Sequence, residues 1–356
     1  MGGYLRDYMN REDRRNRVLV KEIGEFGLID RIAAMLSHHC PGVIKGIGDD
    51  VAVLDTSGPE YLLATCDSQV EGVHFMRDAI TPYQLGRRVA AINVSDIAAS
   101  GGDPRWALVS LAIPGEMEVG YIEELYRGLG DEMALAGASI AGGNLSRMKS
   151  VIVLDCTLLG VVAPERLVLR STARVGDAVV LTGSPGESRA GLELIRRPDL
   201  ALSASTRQRL IESHLCPRPR LAEGRLLARS GLVTAMIDVS DGVIGDLLHI
   251  CKASGTGADV DSGGVSISRE LGEAALAAGA DCLEWALSGG EDYELIFTAP
   301  PEAVASLKQM LLDQTGTTCS QIGTITAGTG VDIRFAEGTR KVSAVKGFDH
   351  FGESKG

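Results

Sequence analysis

Two aspartates stand side by side in GIGDDVAVL, residues 46–54, where a glycine-punctuated turn leads into an apolar run. Adjacent carboxylates repel, and taking either out of water is costly unless a cation or several hydrogen bonds compensate. A turn in which one Asp bonds its own backbone explains Asp49 or Asp50 alone. Acidic residues in the same setting recur along the chain, however. They are Asp67 in TCDSQVEGVHF, Asp96 in INVSDIAASGGDP, Asp238 and Asp241 in MIDVSDGVIGDL, and Glu291 with Asp292 in LSGGEDYELIF. Taken singly, Asp96, Asp241 and Asp246 read as helix caps or solvated positions. Taken together, carboxylates that end several different strands form the donor set of an oxygen-rich site for hard divalent cations. Mg²⁺ binds through a few carboxylates plus substrate phosphates, so such a site can hold a nucleotide where no GxxxxGK[ST] loop exists, and this sequence has none.

The elements that must carry these residues alternate. YLLATC (61–66), WALVSLAI (106–113) and VIVLDCTLLGVV (151–162) read as strands, and helical periodicity runs over 83–99 and 121–136. After Pro164 the rhythm restarts with AVVLTG (178–183) as a strand, GESRAGLELIRR as a helix, VTAMID (233–238) as a strand and GVIGDLLHICKAS as a helix. ELIFT (294–298) and SQIGTIT (320–326) complete the strands. AGGNLSR (141–147) reads as a Gly-Gly-polar turn, and the small-residue run 253–268 as a loop or short insertion. The expected architecture is mixed α/β in two domains, 23–168 and 169–356, behind a solvated tail over 1–22.

At 356 residues, with 45% hydrophobic and 23% charged residues, the chain has the composition of a globular protein. Its net charge of -12 and its 4% aromatic content argue against a nucleic-acid binder, which needs a basic face and stacking rings. Seven cysteines without CxxC spacing suggest neither zinc nor a disulfide framework, and HHC at 38–40 lacks partner ligands at zinc spacing. No apolar run approaches the length of a membrane span, and the N-terminal stretch lacks the apolar core of a signal peptide, so a cytoplasmic protein is expected.

The ordered motifs GIGDDVAVL, TCDSQVEGVHF, AINVSDIAASGGDP, AGGNLSR, IDVSDGVIGDL, LSGGEDYEL and GFDHF resemble the thiamine-monophosphate kinase family over nearly all of residues 23–351. VEGVHF and GFDHF separate the chain from relatives of the same aminoimidazole ribonucleotide synthetase-like superfamily. The resemblance implies ATP-dependent phosphorylation of thiamine monophosphate to thiamine diphosphate, with several Mg²⁺ ions. It also implies a homodimer in which the N-terminal domain forms a β-barrel with its partner, beside an α/β C-terminal domain. Carried over by motif, the metal ligands are Asp50, Thr65, Cys66, Asp67, Asp96, Asn144, Asp238 and Asp241. Nucleotide contacts fall on Tyr126, Gly143, Asn144, Arg170 and Ser240, and the thiamine phosphate on His74, Glu291 and Phe348. Asp50, Asp67, Asp96, Asp241 and Arg170 carry the catalytic role. His74 and Phe348 otherwise read as ordinary half-buried packing.

Two positions depart from the family pattern. Asn144 stands where Asp is usual, and Cys66 where a hydroxyl residue is usual. Asn keeps a carbonyl oxygen but loses a charge, and a thiol is a poor Mg²⁺ ligand that leaves only its backbone oxygen. Weaker metal binding is therefore expected. The competing expectations are another ATP-using member of the superfamily, or a catalytically weak nucleotide-binding relative.

Overall fold

The structure is a computed structural model that describes residues 18–36, 41–335 and 338–342. It falls into two compact units, of which the first contributes one described helix, α1 (Val20–Met35). The Leu19 backbone N–H donates to the Glu22 side chain at 2.8 Å and so starts α1, three residues inside the expected 1–22 tail.

In the second unit, β1 (Val43–Lys45), β2 (Ala52–Asp55) and β3 (Tyr61–Val70) are followed by α2 (Pro82–Ala99), β4 (Asp103–Ile113), α3 (Val119–Ala136), β5 (Ser139–Arg147) and β6 (Val153–Val162). These six strands form one sheet in the order β1-β2-β3-β6-β4-β5, with only β4 and β5 parallel. AGGNLSR is therefore part of an edge strand and not a turn. Pairing with β4 overrides the glycines' weak strand preference. Next come β7 (Ala178–Thr182), α4 (Glu187–Arg196), α5 (Ala204–Leu215), α6 (Leu221–Ser230), β8 (Ala235–Asp238), α7 (Val243–Ser254), β9 (Gly257–Asp261), α8 (Arg269–Ala278), α9 (Cys282–Ser288), β10 (Leu295–Ala299), α10 (Val304–Thr315), β11 (Cys319–Thr326), β12 (Gly330–Phe335) and β13 (Gly338–Val342). The second sheet runs β13-β12-β9-β11-β7-β10-β8. The stretch expected as a loop holds β9, which is central to this sheet. Ala258 and Val260 are buried while Asp259 and Asp261 are exposed, a period of two too short to stand out among glycines.

The second sheet is covered on both faces. Val179, Leu181 and Ile237 pack under α4 and α7, while Val180, Met236 and Phe297 pack under α6 and α10. The first sheet has helices on one face only. Leu63, Ala107, Val109, Leu111, Leu154 and Leu158 pack against α2 and α3 on that face. The opposite face carries Cys66, Trp106 (48% exposed) and Leu108 (45% exposed).

Helix α2 is central to the second unit. Thr81 caps it, its hydroxyl accepting the Gln84 N–H and its own N–H donating to the Gln84 side chain, and Pro82 fits the first turn. Gly86 and Gly128 let α2 and α3 touch backbone to backbone. A Cβ at either would lie about 2 Å from a carbonyl oxygen of the other helix, of Leu125 and Tyr83 respectively. Almost every residue from Leu85 to Ala99 is buried, because α2 lies on the first sheet while also packing against α6 and β8 of the second half.

Candidate active site

Asp49 and Asp50 divide the two explanations of their adjacency between them. Asp49 does turn chemistry: its oxygens accept the backbone N–H of Asp50 at 3.1 Å and of Arg170 at 3.3 Å, and Lys45 Nζ lies 3.6 Å away. Asp50 receives the Arg170 guanidinium on Oδ1, with Nε at 3.1 Å. Its Oδ2 is buried and has no hydrogen-bond partner among the described residues. An anionic oxygen left so is expensive unless a cation completes it.

Asp96 and Asp238 supply the rest. Carboxylate oxygens of Asp50, Asp96 and Asp238 all lie within 4.8 Å of one another, the spacing that one ion can bridge. Asp96 comes from the last turn of α2, Asp238 from the end of β8, and Asp50 from the turn before β2. Thr65 Oγ1 on β3 donates to Asp96 at 2.5 Å, and Ser95 Oγ donates to Asp238 at 2.7 Å. Asp67, two residues along β3 from Thr65, shares this face, and its charge adds to the crowding on Asp96. Burial, then the Asp50 charge, pushes the Asp67 carboxyl up to about 6. Burial and Asp50 push Asp238 up to about 8. Burial, then Asp67 and Asp238, hold Asp96 well above the usual carboxylate range. The donor set is all oxygen, crowded and short of positive charge, which fits Mg²⁺. The Arg170 guanidinium stays charged because Asp50 and Asp49 outweigh its burial.

Asp241 is not brought into this group. Its carboxylate lies with Asp246 and His249 of α7, their ligand atoms within 4.8 Å of one another. Asp246 is not the N-cap its sequence context suggests, since Gly242 holds that position and Asp246 lies inside the first turn of α7. Its Oδ2 accepts the backbone N–H groups of Ser240, Asp241 and Gly242 at 3.1, 3.2 and 3.0 Å. Ser240 in turn accepts the Glu291 backbone N–H at 2.7 Å. His249 carried no signal in the sequence beyond its type.

The GED turn splits its two acids. Asp292 faces away, accepting the N–H groups of Gly186 at 2.6 Å and Ser188 at 3.1 Å at the start of α4. Glu291 binds the guanidinium of Arg88, and His214 Nδ1 lies 3.5 Å from its Oε2. Burial would raise the Glu291 carboxyl, but its basic neighbours, Arg88 foremost, outweigh it and hold the group below its ordinary value. His74 is a weaker basic neighbour of Glu291, and its Nδ1 accepts the Val70 N–H at 3.0 Å. Sequence reasoning missed Arg88 and His214, since a basic residue in an apolar helix and a histidine at a helix end are unmarked types. Phe348 lies outside the described residues.

Strand alternation turns the Cys66 side chain away from the cluster, and strand order sets Asn144 apart from it within one chain. Cys66 points to the open face, where the Thr157 hydroxyl lies 3.3 Å from its thiol, opposite in direction to Thr65 and Asp67. Asn144 is exposed and stands in register with Ser110, which pairs with Asp155, whose partner Ser68 is also on that face. Two strands separate β5 from β3, so Asn144 lies about 14 Å across the sheet from the TCDS strand. Gly143 is a glycine because a Cβ there would come 1.9 Å from the Val109 carbonyl oxygen. Tyr126 packs half-buried on α3 against the first core, and burial raises its phenol.

Residues 48–162 match the AIR synthase related protein N-terminal domain, and residues 174–336 its C-terminal domain. The thiamine-monophosphate kinase of Aquifex aeolicus is 37% identical over 332 residues, covering 93% of this chain and 99% of the relative. The chain belongs to the thiamine-monophosphate kinase family. The Escherichia coli K12 kinase is 36% identical over 328 residues, covering 92% of this chain and 98% of its own. Among solved structures, AaThiL complexed with AMPPCP and TMP superposes with a TM-score of 0.82 at 35% identity, covering 94% of this chain and 99% of that one. The two-sheet α/β architecture is thus that of the family. No helix among the described residues is long and apolar enough to cross a membrane.

Proposed function

We propose that this chain transfers the γ-phosphoryl group of ATP to thiamine monophosphate, giving thiamine diphosphate and ADP. The observation that carries the reading is the Asp50–Asp96–Asp238 cluster, with its buried, unpartnered Asp50 oxygen beside Arg170, in a chain of this family. AMPPCP is an ATP analogue, so the relative's complex supports ATP as the donor.

The residues fit a mechanism without a protein nucleophile. The acceptor is a phosphate monoester, largely dianionic near neutral pH because its second pKa is about 6, and its oxygen attacks without a general base. The task is to bring two anions together in line. Asp50, Asp96, Asp238 and Asp67 would hold Mg²⁺, which supplies charge neutralisation and orientation for both phosphates. Arg170, fixed from below by Asp49 and Asp50, adds a charge that cannot be lost at working pH. Glu291 and His74 would meet the thiamine end.

A homodimer supports the outlying residues. Trp106, Leu108 and Cys66 lie on an uncovered sheet face, and β5 is exposed from Ala141 to Arg147. An uncovered edge and apolar face are what a second copy would bury, closing the barrel that one chain leaves open. In that dimer Gly143 and Asn144 would serve the partner's nucleotide and metals. Asn144→Asp is then expected to lower the Mg²⁺ concentration for half-maximal rate about three- to tenfold, since an added charge strengthens an oxygen site. An unchanged Mg²⁺ titration would remove Asn144 from the metal.

The deciding assay follows ADP release from Mg-ATP with thiamine monophosphate, with thiamine, and with no acceptor, and confirms the diphosphate by mass. Product from the monophosphate alone is expected, with no label on the protein after mixing with γ-labelled ATP. ADP release equal in all three reactions would sink the reading, and labelled protein would overturn direct transfer.

A further inference from the structure

Arg88 is the largest fully buried side chain of the described residues, at 1% exposure. Its guanidinium meets Gln69 Oε1 on β3 at 3.2 Å, the His214 carbonyl oxygen at the end of α5, and the Glu291 carboxylate. A buried ion pair is seldom more stable than apolar residues of the same volume, so stability alone does not account for Arg88. Glu291 differs from it in one respect: its side chain is 29% exposed. The pair therefore runs from the core to a surface that a ligand can reach.

Glu291 is also held in an uncommon backbone conformation, φ 65°, as is Tyr293 at φ 52°. Such strain persists only where surrounding contacts enforce it, and it concentrates at ligand clamps. The Ser240 carbonyl holds the Glu291 backbone and Arg88 holds its side chain. One carboxylate oxygen, Oε1, is committed to Arg88. The other, Oε2, has His214 at 3.5 Å and remains the less engaged acceptor.

We infer that Arg88 is a positioning residue, which acts through Glu291 by fixing Oε2 as the acceptor for the amino group on the aminopyrimidine ring of thiamine monophosphate. The inference rests on the proposed function and names the determinant of its acceptor specificity. Without Arg88, the burial that opposes it would raise the Glu291 carboxyl, favouring the protonated form, which donates where the carboxylate accepts. The charged and titratable groups that face Glu291 are Arg88 from α2, His214 from α5, His74 from the segment after β3, and Tyr293 beside it. Burial, then Arg88, lowers His214 to about 4, so it is neutral at working pH. Arg88 is then the principal fixed positive charge on the carboxylate.

The test is steady-state kinetics of Arg88→Met and Arg88→Lys from about pH 6 to 8.5, with both substrates varied. Arg88→Met is expected to raise KM for thiamine monophosphate tenfold or more, with KM for ATP and kcat within threefold. That KM should fall again as pH rises and Glu291 re-ionises, a limb wild type lacks in this range, and Arg88→Lys should recover part of the loss. A variant with a lowered Tm but an unchanged KM and pH profile for the monophosphate overturns the inference and leaves Arg88 structural. If Arg88→Met does not fold, Arg88→Lys and Glu291→Gln decide instead. Glu291→Gln keeps a carbonyl acceptor that no pH change removes, so an elevated, pH-independent KM supports the assignment and a wild-type KM overturns it. Wild type failing to make diphosphate would sink the proposed function itself, a result separate from any ratio between variants.

Discussion

Asp50→Asn is expected to lower kcat about a hundredfold to ten-thousandfold, a loss of roughly 3–5 kcal/mol of transition-state stabilisation, while making the metal-free protein more stable. The side chain keeps its volume, and its oxygen can still accept from Arg170. What disappears is the charge on the buried oxygen that has no hydrogen-bond partner. The Asp50 charge raises the carboxyls of Asp49, Asp67, Asp96 and Asp238, which is to say that it repels all four. Removing it relieves that repulsion in the absence of metal and weakens the site that needs it in the presence of metal. Single-turnover rates with Mg-ATP, paired with thermal unfolding in EDTA, separate the two effects. Retention of kcat within about threefold would mean that Asp50 only anchors Arg170. A metal-free protein made less stable would mean that the ion pair with Arg170 outweighs the crowding.

The second large effect is on stability against pH. Asp67 and Asp238 are pushed up to about 6 and about 8 from an ordinary 3.8, and Asp96 is also pushed well up, by burial first and neighbouring carboxylates next. A carboxyl that holds its proton more tightly folded than unfolded makes the native state bind the extra protons, so stability falls as pH rises. The window opens near the ordinary carboxylate value and closes just above the raised value of Asp238, near pH 8. In EDTA, Tm should therefore drop by roughly 5–10 °C between about pH 5.5 and 8.5. Excess Mg²⁺ binds only the ionised cluster, so it should add little at the acid end and restore Tm at the alkaline end. Asp50→Asn should flatten the EDTA curve. A flat wild-type curve in EDTA, or an equal Mg²⁺ gain at both ends, would count against a shared ion.

Much of this was legible in the sequence, for physical reasons that differ by residue. The strands 61–66, 106–113 and 178–183 announced themselves because one or both faces are buried, which forces apolar alternation or an apolar run. Asp96 and Asp238 could be proposed as partners because both end an element among small residues, and the structure brings them together. Its glycines hide β9, and β5 reads as a turn because an exposed edge strand needs no apolar pattern. Arg88 was invisible because burial of a basic side chain follows from tertiary packing alone. The side-chain directions of Cys66 and Asn144 were hidden for a different reason. Motif resemblance names neighbours along the chain, whereas a strand sends successive side chains to opposite faces.

That alternation on β3 has a consequence for how the TCDS segment tolerates change. Thr65 and Asp67 answer to the cluster under α2, while Cys66 and Ser68 answer to Thr157 and Asp155 on the other side. One run of four residues is written in two interleaved registers that share a backbone and little else. Replacement at every second position leaves the intervening vocabulary untouched, so the thiol of Cys66 can stand where a hydroxyl is usual without disturbing a single oxygen around Asp96. Insertion of one residue between Tyr61 and Thr65 would instead exchange both registers at once, delivering the thiol to the carboxylate cluster and the acid to the uncovered face.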